Sequence, residues 1–185
     1  MRRRLILAQR AQEAREQAAK AKASAEPSAA PPVKGRTRLF ARMKLFTIGY
    51  EGSTQPDMIA RLADAGVKVV IDVRAVAASR RAGFSKTILS GSLNEAGIDY
   101  VHLRQLGTPK PGRQAARAGR IAEMRDIFET HLAEPAAQLE LARAAEIAVE
   151  RPAALLCFEA DAAGCHRRIV AEEIQARTGC EVADL

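Results

Sequence analysis

Tryptophan is absent from the 185 residues, aromatic residues make up only 4%, and there are just three cysteines and three histidines. So few rings argue against a base-stacking platform for single-stranded nucleic acid. Three unevenly spaced cysteines cannot build the paired framework of a small secreted protein. No apolar stretch approaches the roughly 18 residues needed to cross a bilayer, so no membrane partner is expected. These absences point to the reducing cytosol. The apolar fraction of 48% is ordinary for a globular protein, and the length suits one domain with a full core.

The formal charge of +7 belongs to one end of the chain. Residues 1–42 hold eleven Lys/Arg against three Glu, whereas residues 43–185 hold eighteen Lys/Arg against nineteen acids. The first segment runs from Met1-Arg2-Arg3-Arg4 through an Ala/Gln/Glu/Lys stretch to Pro31-Pro32, with a linker's composition from Ala23 to Gly35. It reads as a basic, disordered N-terminal extension, with three explanations open: a basic arm for nucleic acid or an acidic surface, an organelle-targeting segment, or an upstream translation start with Met43 beginning the functional unit. Residues 43–185 read as a single domain.

From Met43 onward, short apolar runs alternate with helical periods. Lys44–Gly49 reads as a strand, and Thr54-Gln55-Pro56-Asp57 opens a helix in the manner of a capping box. Residues 67–73 form a second strand, with β-branched side chains at five of seven positions. Ser85 can cap a helix that ends at Gly97, and residues 98–103 make a third strand. Residues 104–112 are punctuated by Gly and Pro and read as a loop. One helix is predicted over 114–132 and another from Pro135. A fourth strand covers 153–158, a helix starts at Cys165, and a last strand covers 181–185. The alternation predicts an α/β fold, a three-layer sandwich around a mainly parallel sheet of about five strands.

Ligands of such sheets sit beyond the carboxyl ends of the strands. The four strand ends carry Tyr50 and Glu51, Asp72 and Arg74, His102 and Arg104, and Cys157 and Glu159. Cys165, His166 and Arg167 follow at a helix start, where unpaired N–H groups favour thiolate chemistry. Together they predict one shared cleft. Ten Lys/Arg against three acids between Arg74 and Arg125 read either as a sign of an anionic small molecule or nucleotide as its occupant or as a solvated surface balanced by the acidic C-terminal half.

Within that cleft, Cys157 reads either as a nucleophile or as a small buried hydrophobe. Glu159, His102 and His166 are candidate proton carriers, and the helix end should depress His166. Arg74, Arg104 and Arg167 are candidate anion clamps. Asp72 suits fixing Arg74, and Tyr50 and Glu51 are candidate contacts. Cys157, Glu159, Cys165 and His166 also have the donor types of a Zn or Fe site, although a Cys-x7-Cys spacing lacks a tight chelate turn. A reversible Cys157–Cys165 disulfide is a third reading. The sequence names no cofactor.

Residues 45–52 (LFTIGYEG), 70–74 (VIDVR), 83–86 (GFSK), 96–103 (AGIDYVHL) and 155–159 (LLCFE), with Cys165-His166-Arg167, resemble the bacterial domain-of-unknown-function family numbered 488. The resemblance covers nearly all of residues 43–185. It implies a compact α/β domain with a functional site around the Cys-x-Glu and Cys-His-Arg elements, and no agreed reaction. A looser similarity to rhodanese-like and cysteine-loop domains rests on residues 71–74 and on Cys157 before a helix. Arg167 stands ten residues after Cys157, which departs from the tight anion loop of those enzymes. The expectation is an enzyme, a cysteine-dependent transferase or hydrolase. The alternatives are a non-catalytic nucleotide- or nucleic-acid-binding module and a metal-binding protein.

Overall fold

The computed structural model describes residues 43–185, and the basic segment 1–42 lies outside them. Five strands form one sheet in the order β3-β2-β4-β1-β5. They are β1 (Lys44–Gly49), β2 (Val69–Asp72), β3 (Asp99–His102), β4 (Ala153–Cys157) and β5 (Glu181–Asp184), and every pairing is parallel. The central strands β2 and β4 are buried at every residue. This is why they read as unbroken apolar runs rather than as alternation.

Parallel strands need crossovers, and helices supply them. Helices α1 (Gln55–Asp64) and α2 (Lys86–Glu95) cover one face. The Thr54 hydroxyl accepts from the Asp57 N–H at the start of α1, as a capping box requires. Their buried Met58, Leu62, Leu89 and Leu93 pack with Phe46, Ile48, Val70, Ala154 and Leu156. The other face carries α4 (Ile121–Leu132), α5 (Pro135–Glu150) and α6 (His166–Thr178). There Phe128, Leu141 and Ile174 pack with Leu45, Val69, Ile71, Leu155 and Cys157. Successive strand residues thus feed opposite cores, as the pleat demands.

Two departures from the sequence pattern lie between β3 and α5. The Gly/Pro-rich stretch is not wholly irregular: Arg104–Leu106 forms a 3-10 turn, and a helix α3 (Lys110–Arg117) starts next to Pro109. Pro111 is harmless there, because the first helical N–H groups need no intrahelical partner. The expected single helix over 114–132 is instead α3 and α4, broken at Gly119 with φ of 73°. Among the described residues, no helix is long and apolar enough to cross a membrane.

Leu155 lies fully buried in the middle of the sheet, whereas Leu139 is 74% exposed on α5. Leu155→Ala is expected to lower stability by about 2–5 kcal/mol, and Leu139→Ala to change it by less than about 0.5 kcal/mol. Urea unfolding of both variants checks the assignment.

Candidate functional site

Strand β4 delivers Cys157 to the carboxyl edge of the sheet on the α4–α6 face. The chain then turns through Phe158, Glu159 and Ala160 and comes back to enter α6 behind Cys165. Cys165 is the N-cap of α6, and its Sγ accepts from the Arg167 backbone N–H at 3.5 Å. This return brings four donors together. Glu159 Oε2 lies 3.1 Å from Cys157 Sγ and 3.0 Å from Cys165 Sγ, and His166 Nδ1 lies 3.8 Å from both sulfurs. The two thiols and the imidazole are buried, and only Glu159 reaches partly into solvent.

The imidazole is held from behind. Its Nε2–H donates to the Val73 carbonyl at 3.0 Å. A carbonyl can only accept, so Nε2 keeps its proton and Nδ1 is the nitrogen presented to the sulfurs. Phe128 stacks edge-on against the ring, with centroids 5.0 Å apart.

Packing acidic groups this closely splits their proton affinities. The Cys157 thiol is pushed well up by its hydrogen bond to Cys165, by burial and by the Glu159 charge. Burial also opposes ionisation of Cys165, yet that thiol lies well below its ordinary value because Cys157, His166 and Arg167 stabilise its negative charge. Burial and the Cys165 charge raise Glu159. For His166, burial favours the neutral form, but the hydrogen bond and charge of Cys165 outweigh it and raise the pKa. The depression expected from the helix end is therefore reversed, because a thiolate in contact outweighs a half-charge at the helix terminus.

Arg167 organises the loop. Its side chain is 1% exposed; Nε donates to Thr47 Oγ1 at 3.2 Å, and the terminal nitrogens donate to the carbonyls of Glu159 and Ala160. Among the described residues no carboxylate pairs with it. Gly49 makes the close approach possible, since a Cβ there would sit 1.8 Å from the Glu159 carbonyl oxygen. Glu51 adds two tethers: its carboxylate accepts from the Ala160 N–H, and its own N–H donates to the Phe158 carbonyl.

The remaining candidates do not join this cluster. Residues 72, 74 and 102 project on the α1–α2 side of the pleat, opposite Cys157, so the single expected cleft is two polar groups on two faces. Asp72, fully buried, accepts from the backbone and side chain of Arg74 and from the Tyr100 hydroxyl. Arg74 also donates to the Tyr50 hydroxyl and the Phe84 carbonyl. Its guanidinium is thereby committed to an internal pair rather than offered as a clamp, and Arg167 is likewise committed to carbonyls. His102 Nε2 meets the Arg74 carbonyl at 2.8 Å, and Tyr50 stacks on Phe84. Arg104 is exposed at the end of β3.

Two surface hollows, of about 510 and 380 Å³, are lined by neither thiol nor by His166. Thr47, Gly49, Val73 and Phe128 complete the surroundings of the cluster, and none was singled out from the sequence. Only the polar Thr47 within an apolar strand carried a signal.

No curated protein and no solved structure matches the chain. Residues 55–174 match the family described as Domain of unknown function DUF488, and the chain belongs to that family.

Proposed function

We propose that this domain is a thiolate metal-binding protein, holding one zinc-class divalent ion through Cys157, Cys165, His166 Nδ1 and Glu159. The observation that carries the reading is the convergence of the ligand atoms: those of Cys157, Cys165 and His166 lie within 4.8 Å of one another, and Glu159 touches both sulfurs. A tetrahedral zinc site with bonds of about 2.0–2.3 Å separates its ligand atoms by roughly 3.3–3.8 Å. Two thiolates and an imidazole favour zinc or ferrous iron over magnesium or calcium, which take oxygen donors.

The surroundings support the same reading. The Val73 carbonyl behind His166 is the outer partner that a metal-bound imidazole ordinarily has. A divalent ion with two thiolates and one carboxylate carries a net single negative charge, and buried Arg167 supplies the balancing positive one. Glu159, on a loop and partly exposed, is the ligand best placed to exchange for solvent or for an incoming ligand, whereas the other three are buried.

A second reading, thiol chemistry on an anionic substrate, is favoured by the depressed Cys165 at the N-cap of α6. In that reading Cys165 is the nucleophile and the proton-bearing Cys157 its partner, reversing the role expected of Cys157.

Purified protein is expected to contain about one equivalent of zinc or iron per chain, measured by elemental mass spectrometry, and cobalt substitution should give a thiolate charge-transfer absorption. Cys157→Ser, Cys165→Ser and His166→Ala should each abolish tight binding. A protein that stays metal-free after zinc loading removes the reading in favour of thiol chemistry, for which faster alkylation of Cys165 than of Cys157 is the sign.

Arg167→Lys keeps the charge but cannot hold both carbonyls and Thr47 at once. It should weaken zinc binding about 10–100-fold, measured by competition with a chromophoric chelator. Saturating zinc should raise the melting temperature of the wild-type protein, with a stabilisation of about 4 kcal/mol at a thousandfold excess over Kd.

A further inference from the structure

The strongest charge asymmetry of the domain lies away from the cysteine cluster. Between residues 75 and 119, Arg80, Arg81, Lys86, Arg104, Lys110, Arg113 and Arg117 stand against only two acids, Glu95 and Asp99. Within this stretch the fold separates the two signs, while Glu51, Glu159 and Asp161 follow the carboxyl ends of β1 and β4 further along the same edge. The seven cations follow the carboxyl ends of β2 and β3 or lie on α2's first residue and on α3, whereas Glu95 ends α2 and Asp99 starts β3, at the opposite edge. Six of the cations are exposed, and Arg113 is half-buried with its guanidinium donating to the Thr108 carbonyl. Among the described ion pairs none of the seven has a carboxylate partner. Acids do approach the stretch: Glu140 of α5 accepts from the Gln105 N–H next to Arg104, and Arg81 donates to the Ser53 carbonyl two residues after Glu51.

Such segregation is not a by-product of composition. Residues 43–185 hold eighteen Lys/Arg and nineteen acids, so a well-mixed surface would pair most of these cations. On α3 the spacing of Lys110, Arg113 and Arg117 puts all three on one side of the helix.

We propose that this carboxyl edge around β2 and β3 binds the phosphodiester backbone of nucleic acid without reading its sequence. Five of the seven cations are arginines, whose planar fork suits phosphate oxygens. Val76 and Ile88 are the large apolar side chains exposed on this stretch, and neither is aromatic, whereas the centre of a protein–protein interface is enriched in aromatic residues. The stretch offers few rings for stacking: Phe84, in the wall of the hollow of about 510 Å³ beside Arg81, is 1% exposed and covered by Tyr50, and the partly exposed ring nearby is Phe158, on the loop after β4 and edge-on to Tyr50. Positive charge is the main thing this stretch presents, and backbone phosphates are what such charge recognises. The surface is distinct from the N-terminal segment, whose charge has the same sign, and it does not depend on the metal centre.

The test uses the full-length protein and a fluorescein-labelled duplex of about 20 base pairs, with anisotropy titrations between about 50 and 200 mM salt. Arg80→Gln/Lys86→Gln and Lys110→Gln/Arg117→Gln change only exposed side chains. Each pair should weaken binding uniformly across sequences and reduce the slope of log K against log salt by about 2. Arg61→Gln/Lys68→Gln removes two exposed cations from the opposite edge and should leave the slope unchanged. The proposal is overturned if the wild-type protein does not bind the duplex. It also fails if the loss appears only in Arg2→Gln/Arg3→Gln/Arg4→Gln, if the control pair has the same effect, or if anionic lipid vesicles are bound and the duplex is not.

Discussion

A guanidinium buried without a carboxylate beside it keeps its charge only if neutral dipoles and a nearby anion replace the water it has lost. Arg167 meets that constraint through Thr47 on the first strand and the carbonyls of Glu159 and Ala160 on the loop after the fourth. One side chain from the last helix thereby ties together the two strands that flank the cluster. It also fixes the backbone from which Glu159 reaches the sulfurs. If those carbonyls moved, the charge would be stranded and the fourth donor would leave together with its loop. The electrostatic demand of one residue is met by the geometry that assembles the other four.

The pleat of the sheet explains why this demand does not spread further. Cys157 and Thr47 face the α4–α6 core, while Asp72, Arg74 and His102 face the α1–α2 side, although all lie at or near the same strand ends. The two polar groups stay chemically separate. One is a dense set of groups competing for protons. The other, built on the Asp72–Arg74 pair, has its buried donors and acceptors matched internally, and it fixes the path of the chain after β2.

Much of this was legible in the residues. Apolar runs located β1, β2 and β4, because inner strands covered on both faces need continuous hydrophobicity, whereas the edge strands β3 and β5, which carry Asp99, His102, Glu181 and Asp184, were placed by the alternation of strands with helices, and the Thr54–Asp57 cap marked a helix start. The convergence of Cys157, Glu159, Cys165 and His166 was legible as donor chemistry but not as geometry. Seven residues of chain between the thiols do not reveal how the loop folds back until Arg167 and Gly49 are in place. Face assignment was hidden for a similar reason, since it depends on strand register, and a shift of one residue exchanges the two sides. The start of α3 was masked by prolines that local rules assign to loops. The sign of the His166 shift was missed because helix position is visible in a sequence, whereas contact with a thiolate is not.

The order β3-β2-β4-β1-β5 has a consequence for how the protein comes into being. Strands β1 and β2 do not pair with each other, because β4, some eighty residues further along the chain, occupies the place between them. During synthesis the first two strands therefore wait with open edges until the last third of the domain emerges, a high-contact-order arrangement that folds slowly. The strand that joins the β3-β2 half of the sheet to β1 is the one that ends in Cys157, and the helix that follows brings Cys165, His166 and Arg167. Union of the two halves of the sheet and assembly of the cluster therefore draw on the same late segment, with β5 left to add at the outer edge of β1.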